Sequence, residues 1–314
     1  MKVMRGDPRR WGPAPRGGSA VTIGVYDGVH RGHQIVLADL AARAGVLGVD
    51  QRAVLTFDRH PLALVSPDRM PPLLTTIEQR LEILESLEVD FVGVLPFEQI
   101  RTMHPAEFIH QVLLGSLGTR LIVVGTNFRF GRDRAGDVAS LHEEGTRHGF
   151  EIDAVELLRG DGAAVSSSAI RSQLSIGDVA WVEEALGRPF ELRGVVVAGD
   201  GRGHMIGYPT ANLSFSGEMA VPARGVYAVR VKQGDASFPG VVNVGVRPTF
   251  GGETLTVEVH LLGFEGDLYG QTLAVSFEHR LRDEQRFAGV DELVAQINQD
   301  VAQARRLLGD DYED

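Results

Sequence analysis

The sequence lacks cysteine, long apolar runs and an excess of basic residues, and each shortage excludes a class of protein. The 314 residues include 0 cysteines, which excludes a disulfide framework, a thiolate metal site and a cysteine nucleophile. A reducing, cytoplasmic location agrees with this absence, and we expect it here. No apolar run reaches the roughly 18 residues that a transmembrane helix requires, so we expect no membrane partner.

The charge balance is acidic, with 31 Lys and Arg against 42 Asp and Glu and a formal net charge of −11. A general nucleic-acid coat needs a basic face, so we expect no nucleic-acid partner. A small anionic ligand stays open, because one pocket can be positive on an acidic protein. The hydrophobic content of 43% excludes a mainly disordered chain. The length predicts about two domains.

The first half of the chain alternates between strand-like and helix-like segments. Residues 1–18 are basic without the apolar core of a secretory signal, and we interpret them as a flexible leader. Strands are predicted at 19–26, 52–57 and 120–125, with helices at 30–44 and 75–87 among them. This β-α-β-α order predicts an α/β domain over 19–186, with a parallel sheet covered by helices on both faces.

The pattern changes near residue 187, where five Gly-punctuated strand-like segments follow one another without a helix. Such a run predicts a small antiparallel barrel or sandwich over 187–314. Residues 287–308 then form a long amphipathic helix that closes the chain. Its predicted apolar face consists of Leu293, Ile297, Val301 and Ala304.

The turn from Gly24 to His33 follows a predicted strand and opens a predicted helix. A helix N-terminus presents free N–H groups that hold phosphate, and glycines let the backbone approach a ligand closely. The glycines are Gly24, Gly28 and Gly32. His30 and His33 are three residues apart and can donate hydrogen bonds to phosphate oxygens. A plain Gly-rich turn with surface histidines is the alternative, and a zinc site would lack a nearby third ligand.

Two further loops carry polar groups that suit a polyphosphate. The first follows the strand at 120–125, where ligands of open α/β sheets bind. It places Gly125, Asn127, Arg129, Arg132 and Arg134 directly after that strand. The second is Val165–Arg171, where serines precede a short helix and Arg171 lies about one turn on. Taken alone, this second run also fits a simple helix cap with a solvated arginine.

With these motifs in view, the first half resembles the adenylyltransferase module of bacterial bifunctional riboflavin kinase/FAD synthetases. The similar runs are TIGVYDGVHRGHQ, LTFDRHP, VVGTNFRFG and VSSSAIRSQLSIGDV. The resemblance implies a Rossmann-like nucleotidyltransferase domain in which His30 and His33 are catalytic. The nucleotide-binding residues that it implies are Gly24, Asp27, Gly32, Asn127, Ser167 and Arg171. Two departures are Arg59, where the family often has Pro, and Tyr26, where Phe is more usual.

A second constellation spans Gly201–Asn212. It has neither the G-K-[ST] ending of a Walker A loop nor the G-x-G-x-x-G pattern. Strand alternation places Thr210 and Asn212 on one face, and two neutral oxygens there suit Mg²⁺. A hairpin turn without a ligand is the alternative.

Glu258 lies on an apolar strand between Val257 and Val259. A carboxylate in that setting is either a surface residue at a sheet edge or a functional base, and most charged side chains are exposed. The residue alone leaves both readings open.

The second half resembles the riboflavin kinase module of the same family, through GYPTAN, GVYAV, NVGVRPTF, VEVH, DLYG and LRDEQRF within residues 194–305. The resemblance implies that Glu258 is the base for the ribityl hydroxyl and that Thr210 and Asn212 handle Mg²⁺–nucleotide. It also implies a nucleotide site at Gly201, Gly203, Gly207 and Thr210. The implied flavin contacts are Arg282, Glu284 and Phe287.

The two resemblances together imply a bifunctional enzyme that phosphorylates riboflavin to FMN with ATP and adenylylates FMN to FAD with a second ATP. Mg²⁺, ATP, riboflavin and FMN are the expected small-molecule ligands, and a monomer or weak homo-oligomer is the expected assembly. Two alternatives are an enzyme with one live module and a flavin-binding storage or regulatory protein. The H-x-G-H turn and the P-T-A-N run with Glu258 argue against both.

Overall fold

The structure is a computed structural model that describes residues 1–156, 165–199, 201–249 and 252–309. The chain divides into two compact units. The N-terminal unit comprises Met1–Pro71 and Thr75–Ser167, and the C-terminal unit comprises Pro72–Leu74 and Ser168–Asp314. Within the described residues, no helix is both long and apolar enough to cross a membrane.

The N-terminal unit is built on a six-stranded sheet in the order β1-β4-β3-β2-β5-β8, in which every neighbouring pair is parallel. Two short strands, β6 and β7, form a separate antiparallel pair. The strands of this unit are β1 (Lys2–Arg5), β2 (Ser19–Ile23), β3 (Gln51–Phe57), β4 (Phe91–Leu95), β5 (Thr119–Gly125), β6 (Arg129–Phe130), β7 (Gly136–Asp137) and β8 (Glu151–Val155).

Helices connect these strands and cover the sheet. The α-helices are α1 (Arg31–Leu47), α2 (Leu62–Val65), α3 (Ile77–Ser86), α4 (Phe97–Ile100), α5 (Pro105–Phe108) and α6 (Val138–His148). A π-helix continues α5 over Ile109–Ser116, and 3₁₀ turns lie at Pro8–Arg10, Pro67–Arg69 and Arg132–Arg134. Helix α3 begins where Thr76 and Gln79 form a capping box, which satisfies two backbone N–H groups at its first turn.

The predicted flexible leader is wrong, because the first residues are part of the sheet. Strand β1 pairs in parallel with β4, from Lys2 opposite Phe91 to Arg5 opposite Val94. Trp11 is buried in the core, with its ring 5.6 Å from that of Phe91. The sequence gives little sign of this, because β1 has only four residues and just two of them, Val3 and Met4, are apolar.

Strand β2 is the point at which the order of the sheet reverses. The chain proceeds from β2 to β3 and β4 on one side, and places β5 and β8 on the other. Ligands of open α/β sheets bind at such a switch point, outside the carboxyl ends of the strands. The turn that follows β2 and the loop that follows β5 therefore lie side by side at this edge.

The C-terminal unit is a closed antiparallel barrel in the order β10-β13-β12-β11-β14-β9, followed by a helix. Its strands are β9 (Phe190–Val197), β10 (Ala211–Ser214), β11 (Gly225–Gln233), β12 (Ala236–Thr249), β13 (Gly252–Leu261) and β14 (Thr272–Arg282). Its helices are α7 (Ser167–Ile176), α8 (Val179–Leu186), α9 (Arg202–Met205) and α10 (Val290–Leu308), and the first residue of α7, Ser167, is grouped with the N-terminal unit. The expected α/β domain and antiparallel barrel with a closing helix are thus confirmed.

The division between the units falls earlier than the predicted boundary at residue 187. Helices α7 and α8 cluster with the barrel, because Val182 and Leu186 of α8 are buried and this helix packs on β14 and β9. The backbone N–H of Ala223 also donates to the carbonyl of Leu174 in α7, at 2.8 Å. These two helices therefore belong to the compact body of the barrel.

Candidate active sites

The turn after β2 has an unusual backbone. Tyr26, Gly28 and Val29 all have positive φ, at 54°, 82° and 40°. A β-branched residue in this region is an outlier, so surrounding contacts must hold the turn in place. The chain then enters α1 at His30, and the first N–H groups of that helix face outward from its positive end.

A buried hydrogen-bond network holds this turn through Asp27, whose side chain is only 2% exposed. Its Oδ1 accepts from the backbone N–H of Thr75 at 3.0 Å and from the Thr75 hydroxyl at 3.2 Å. The backbone N–H of Gly28 donates to that same hydroxyl oxygen, at 3.0 Å. The Ser167 hydroxyl donates to the carbonyl of Asp27, at 2.9 Å. Asp27 therefore stabilises the turn from its buried side, where its carboxylate accepts hydrogen bonds from Thr75.

Arg80 lies under the same turn and was not predicted. Its Nη2 is 4.0 Å from Asp27 Oδ1, and its Nη1 donates at 3.2 Å to Thr56, whose hydroxyl donates to the carbonyl of Val25. Burial lowers the pKa of Arg80, while Asp27 acts to raise it. A signal for Arg80 was present, because it interrupts the apolar stripe of α3 one turn before Leu84.

His30 and His33 are brought together above this network. Their rings stack with centroids 3.8 Å apart at 19°, and the Tyr26 ring lies 4.7 Å from that of His33. A Cβ on Gly32 would come within 3.1 Å of the His30 ring, so glycine gives that ring its room. Burial, then the neighbouring His30 and Arg80, lower the pKa of His33 well below 6.5. Its imidazole is therefore neutral at pH 7 and can still donate one hydrogen bond.

The remaining predicted residues of this site have different placements. Asn127 is exposed just beyond the end of β5, whereas Arg129 pairs with Asp137 at 3.3 Å. Arg132 donates through Nε to the carbonyl of Thr102, at 3.0 Å. Arg171 lies on α7 in the C-terminal unit, where its Nε donates to the Pro72 carbonyl at 2.6 Å. The N-terminal unit thus collects Gly24, Asp27, His30, Gly32, His33 and Ser167 at one strand end.

The barrel carries two adjoining cavities of about 290 and 230 Å³. Their shared lining residues are Gly203, Thr210, Asn243, Glu258 and Glu284. The larger cavity is the more apolar one, with Ile206, Val226, Val241, Phe287, Leu293 and Ile297 in its wall. The smaller one is mainly polar, and its further residues include Gly201, Asn212, Arg247 and Thr256. Of the predicted residues, Gly207 lines neither cavity.

Glu258 stands where the two cavities meet. It is paired across the sheet with Asn212 of β10 on one side and Asn243 of β12 on the other. Val257 and Val259 point into the barrel core, so alternation directs Glu258 to the outer face. Its side chain is 30% exposed, and Arg247 Nη2 lies 3.4 Å from its Oε1. The Glu258 carboxylate therefore belongs to the wall of both cavities, between the cross-strand neighbours Asn212 and Asn243. A charged residue on an open surface would not line a cavity.

The loop before β10 is held close to the site. The backbone N–H of Tyr208 donates to the carbonyl of Gly203 at 2.8 Å, and a Cβ on Gly203 would lie 2.3 Å from the Tyr208 carbonyl oxygen. The carbonyl of Pro209 is 2.8 Å from His260 Nδ1. These contacts hold the loop in the position that places Thr210 in the walls of both cavities.

Arg282 also lines the larger cavity, and an ion pair holds its side chain in place. Its guanidinium binds both carboxylate oxygens of Asp300, at 2.8 to 3.1 Å, and Asp300 is only 3% exposed. The same guanidinium lies 5.7 Å from the centre of the Phe287 ring. Asp300 was not predicted, although it lies one turn after Ile297 on the apolar face of α10. Asn243 and Arg247 were missed as site residues, because Asn243 reaches the site as the cross-strand partner of Glu258 and Arg247 through its contact with the Glu258 carboxylate.

Comparison with protein families divides the chain in the same way. Residues 13–169 match the family described as FAD synthetase, and residues 186–308 match the family described as riboflavin kinase. The stretch that carries α7 and α8 lies largely between these two matches.

Curated relatives of this chain carry the name bifunctional riboflavin kinase/FMN adenylyltransferase, among them the following three. The protein from Pseudomonas fluorescens is 42% identical, with 92% of this chain and 93% of that protein covered. The protein from Escherichia coli (strain K12) is 38% identical, with 98% of each covered. The protein from Bacillus subtilis (strain 168) is 34% identical, with 92% of each covered.

A solved structure is also similar to this chain. It is that of a Streptococcus pneumoniae protein named a macrolide-efflux protein, with a TM-score of 0.86 and 29% sequence identity. The match covers 97% of this chain and 99% of that one. Its name describes a different activity from those of the sequence relatives, which share higher identity with this chain.

Proposed function

The chain belongs to the bifunctional riboflavin kinase/FMN adenylyltransferase family, and from that premise we propose which of its residues carry each of the two reactions. It is an enzyme that converts riboflavin to FMN and FMN to FAD, with ATP as the second substrate of both steps. We assign the first reaction to the barrel cavities and the second to the turn after β2.

In the kinase reaction, the larger cavity takes the isoalloxazine ring and the smaller one takes the nucleotide phosphates. Apolar walls suit the ring, while the Arg282–Asp300 pair and Phe287 define its far side. Glu258 accepts the proton of the riboflavin 5′-hydroxyl while the hydroxyl oxygen attacks the γ-phosphorus and ADP leaves. The position of Glu258 in the walls of both cavities is the observation that carries this assignment.

Thr210 and Asn212 are the proposed holders of Mg²⁺ with the nucleotide. They offer a hydroxyl and an amide oxygen to the same small cavity that Glu258 lines, and such oxygen donors suit this hard cation. When bound, Mg²⁺ neutralises charge on the nucleotide phosphates. Gly201 and Gly203 let the loop backbone lie close to those phosphates, and Gly207 provides the turn that follows.

In the adenylyltransferase reaction, the FMN phosphate attacks the α-phosphorus of ATP and pyrophosphate leaves. The nucleophile is already an anion, so no strong base is required. The N-terminal N–H groups of α1 hold phosphate, and His30 and neutral His33 donate hydrogen bonds to the oxygens on which charge develops. Asp27, which the resemblance implies as a nucleotide-binding residue, acts with Thr75 and Arg80 to keep the turn in its strained shape.

Two substitutions test this division of labour in one assay. Purified full-length variants are incubated with Mg·ATP and either riboflavin or FMN, and the flavins are separated by chromatography. His33→Ala should lower FAD formation by about 10²-fold or more while FMN formation stays near wild type. Glu258→Gln should lower riboflavin phosphorylation by about 10²- to 10⁴-fold while FMN is still converted to FAD.

Each variant is the control for the other. Riboflavin phosphorylation near the wild-type rate in Glu258→Gln would return this carboxylate to the surface interpretation. Loss of both products in His33→Ala would contradict two separate sites. Formation of FMN alone by the wild type would favour a single live module, and formation of neither product would favour a storage protein.

We also propose a cytoplasmic location and a monomeric or weakly self-associating state. The absence of cysteine supports the location. Sedimentation analysis at micromolar concentration tests the assembly, and a stable high-order oligomer would contradict it.

A further inference from the structure

Three side chains far along the chain from the histidine turn form a compact cluster in the N-terminal unit. His110 belongs to the π-helix, while Glu144 and His148 are one turn apart on α6. One ligand atom from each lies within 4.8 Å of the other two. We infer that these residues form a binding site for a transition-metal ion of the Zn²⁺ class that links the two helices.

The spacing on α6 already matches metal chelation. His148 Nε2 lies 3.3 Å from Glu144 Oε2. Ligand bonds of about 2.0–2.1 Å in a tetrahedral zinc site place neighbouring ligand atoms about 3.4 Å apart. Two of the three donors therefore need almost no movement to share one ion.

His110 completes the set with a small adjustment. Its ring lies 4.7 Å from that of His148, centre to centre, at 86°. The side chain is exposed, so rotation about its side-chain bonds can bring a ring nitrogen about 1 Å closer. The π-helix contributes to this approach, because its wider turn shifts a side chain relative to an ordinary helix, and such turns are frequent at functional sites.

The C-terminal end of α6 favours a cation, while the Arg147 guanidinium beside Glu144 offsets part of that preference. Glu144 and His148 lie in the last two turns of α6, where the helix dipole places partial negative charge, and Gly149 caps the helix. Glu144 is only 15% exposed, and its second oxygen accepts from Arg147 Nη1 at 2.5 Å, which fixes the carboxylate. A ligand carboxylate that is itself hydrogen-bonded is typical of protein metal sites.

The types of donor atom in the cluster favour one class of metal ion over another. Two imidazoles and one carboxylate favour Zn²⁺, Co²⁺, Ni²⁺ or Cu²⁺, whereas Mg²⁺ prefers oxygen ligands alone. Three protein ligands leave a fourth position for water. The expected effect is structural: the ion joins the helix before β5 to the helix after the 126–137 loop, and neither phosphoryl step uses it.

The test uses untagged full-length protein freed of metal with a chelator and titrated with Zn²⁺ by calorimetry. The ligand variants are His110→Ala, Glu144→Gln and His148→Ala. His142→Ala is the matched control, because His142 is exposed on the same helix and outside the cluster. Wild type and control should bind one ion at this site, and each ligand variant should bind at least about 10-fold more weakly.

Two further measurements separate this site from others. Co²⁺ should give the visible absorption of a low-symmetry site in wild type and control but not in the ligand variants. Saturating Zn²⁺ should raise the melting temperature of the N-terminal unit by about 5 °C or more. Normal FAD formation by the variants without zinc shows that they are folded. If the variants bind Zn²⁺ as tightly as the His142→Ala protein, or if wild type binds none, the inference is wrong.

Discussion

At the scale of single residues, the protonation of His33 is the feature with the clearest consequence. Burial holds its pKa well below 6.5, so the folded chain keeps this imidazole neutral while an unfolded chain protonates it near 6.5. Between those two pKa values the unfolded state binds more protons than the folded state. The free energy of unfolding therefore falls as pH falls through this window.

This linkage predicts an acid sensitivity of the N-terminal unit that one substitution removes. Above about pH 6.5 both states carry a neutral His33, and its titration does not reduce the free energy of unfolding. Below that pH, the preference of the unfolded state for the proton lowers the free energy of unfolding by up to about 1.4 kcal/mol per pH unit. His33→Gln should show a smaller loss of stability between pH 7.5 and 5.5 than wild type. Urea unfolding followed by Trp11 fluorescence in a Trp181→Phe background measures it, since the chain has 2 tryptophans.

The same pH slope in His33→Gln and wild type would contradict this prediction. His279→Gln is a suitable control, because His279 belongs to the barrel and no change in the slope of the N-terminal unit is expected from it.

At the scale of elements, the first strand shows what local patterns miss. Strand β1 is recognisable only through its pairing with β4, some 90 residues later in the chain. The ring of Trp11 packs directly against Gly93. Any larger residue there would clash, because a Cβ at position 93 would lie 2.4 Å from the ring. Both partners are distant in sequence, so composition alone suggested a leader.

Replacing this anchor should destabilise the N-terminal unit. Trp11 is 7% exposed, and Trp11→Ala should lower the free energy of unfolding by about 3–5 kcal/mol through lost burial and a cavity. Trp11→Phe should cost much less, because it keeps most of the packing and removes an indole Nε1 that has no partner among the described residues.

Urea unfolding followed by circular dichroism compares the two variants with wild type. A loss below about 1 kcal/mol in Trp11→Ala would mean that the N-terminal segment contributes little to the fold.

Elements with a regular period were predictable, and those that depend on distant partners were not. The barrel strands follow from alternation, as Val257 and Val259 on either side of Glu258 illustrate. The histidine turn follows from glycine spacing after a strand. By contrast, the π-helix and the burial of Asp300 against Arg282 depend on contacts across the fold, which no single window of sequence contains.

At the scale of the whole molecule, the division into units predicts how the activities separate. A fragment that begins at Ser168 keeps α7 and α8 with the barrel and should convert riboflavin to FMN without forming FAD. A fragment that begins at Gly187 lacks the buried Val179, Val182 and Leu186 of α8, so it should unfold at lower urea concentration.

Flavin chromatography and urea unfolding of both fragments check this prediction. FAD formation by the longer fragment would show that the assignment of the adenylyltransferase residues to the N-terminal unit is wrong. A folded longer fragment without kinase activity would contradict the assignment of that activity to the barrel.

Closure of the barrel also constrains how the chain is made. The closing pair of strands joins Val195 of β9 to Thr272 of β14, 77 positions later. At roughly 5–20 residues per second, a ribosome takes about 4–15 s to supply that partner, and one side of β9 stays unpaired until then. Every strand that the structure describes in the N-terminal unit precedes residue 156, so these strands emerge first. A nascent chain therefore holds the six-stranded sheet of its FAD-forming unit before it can complete the kinase that makes the substrate.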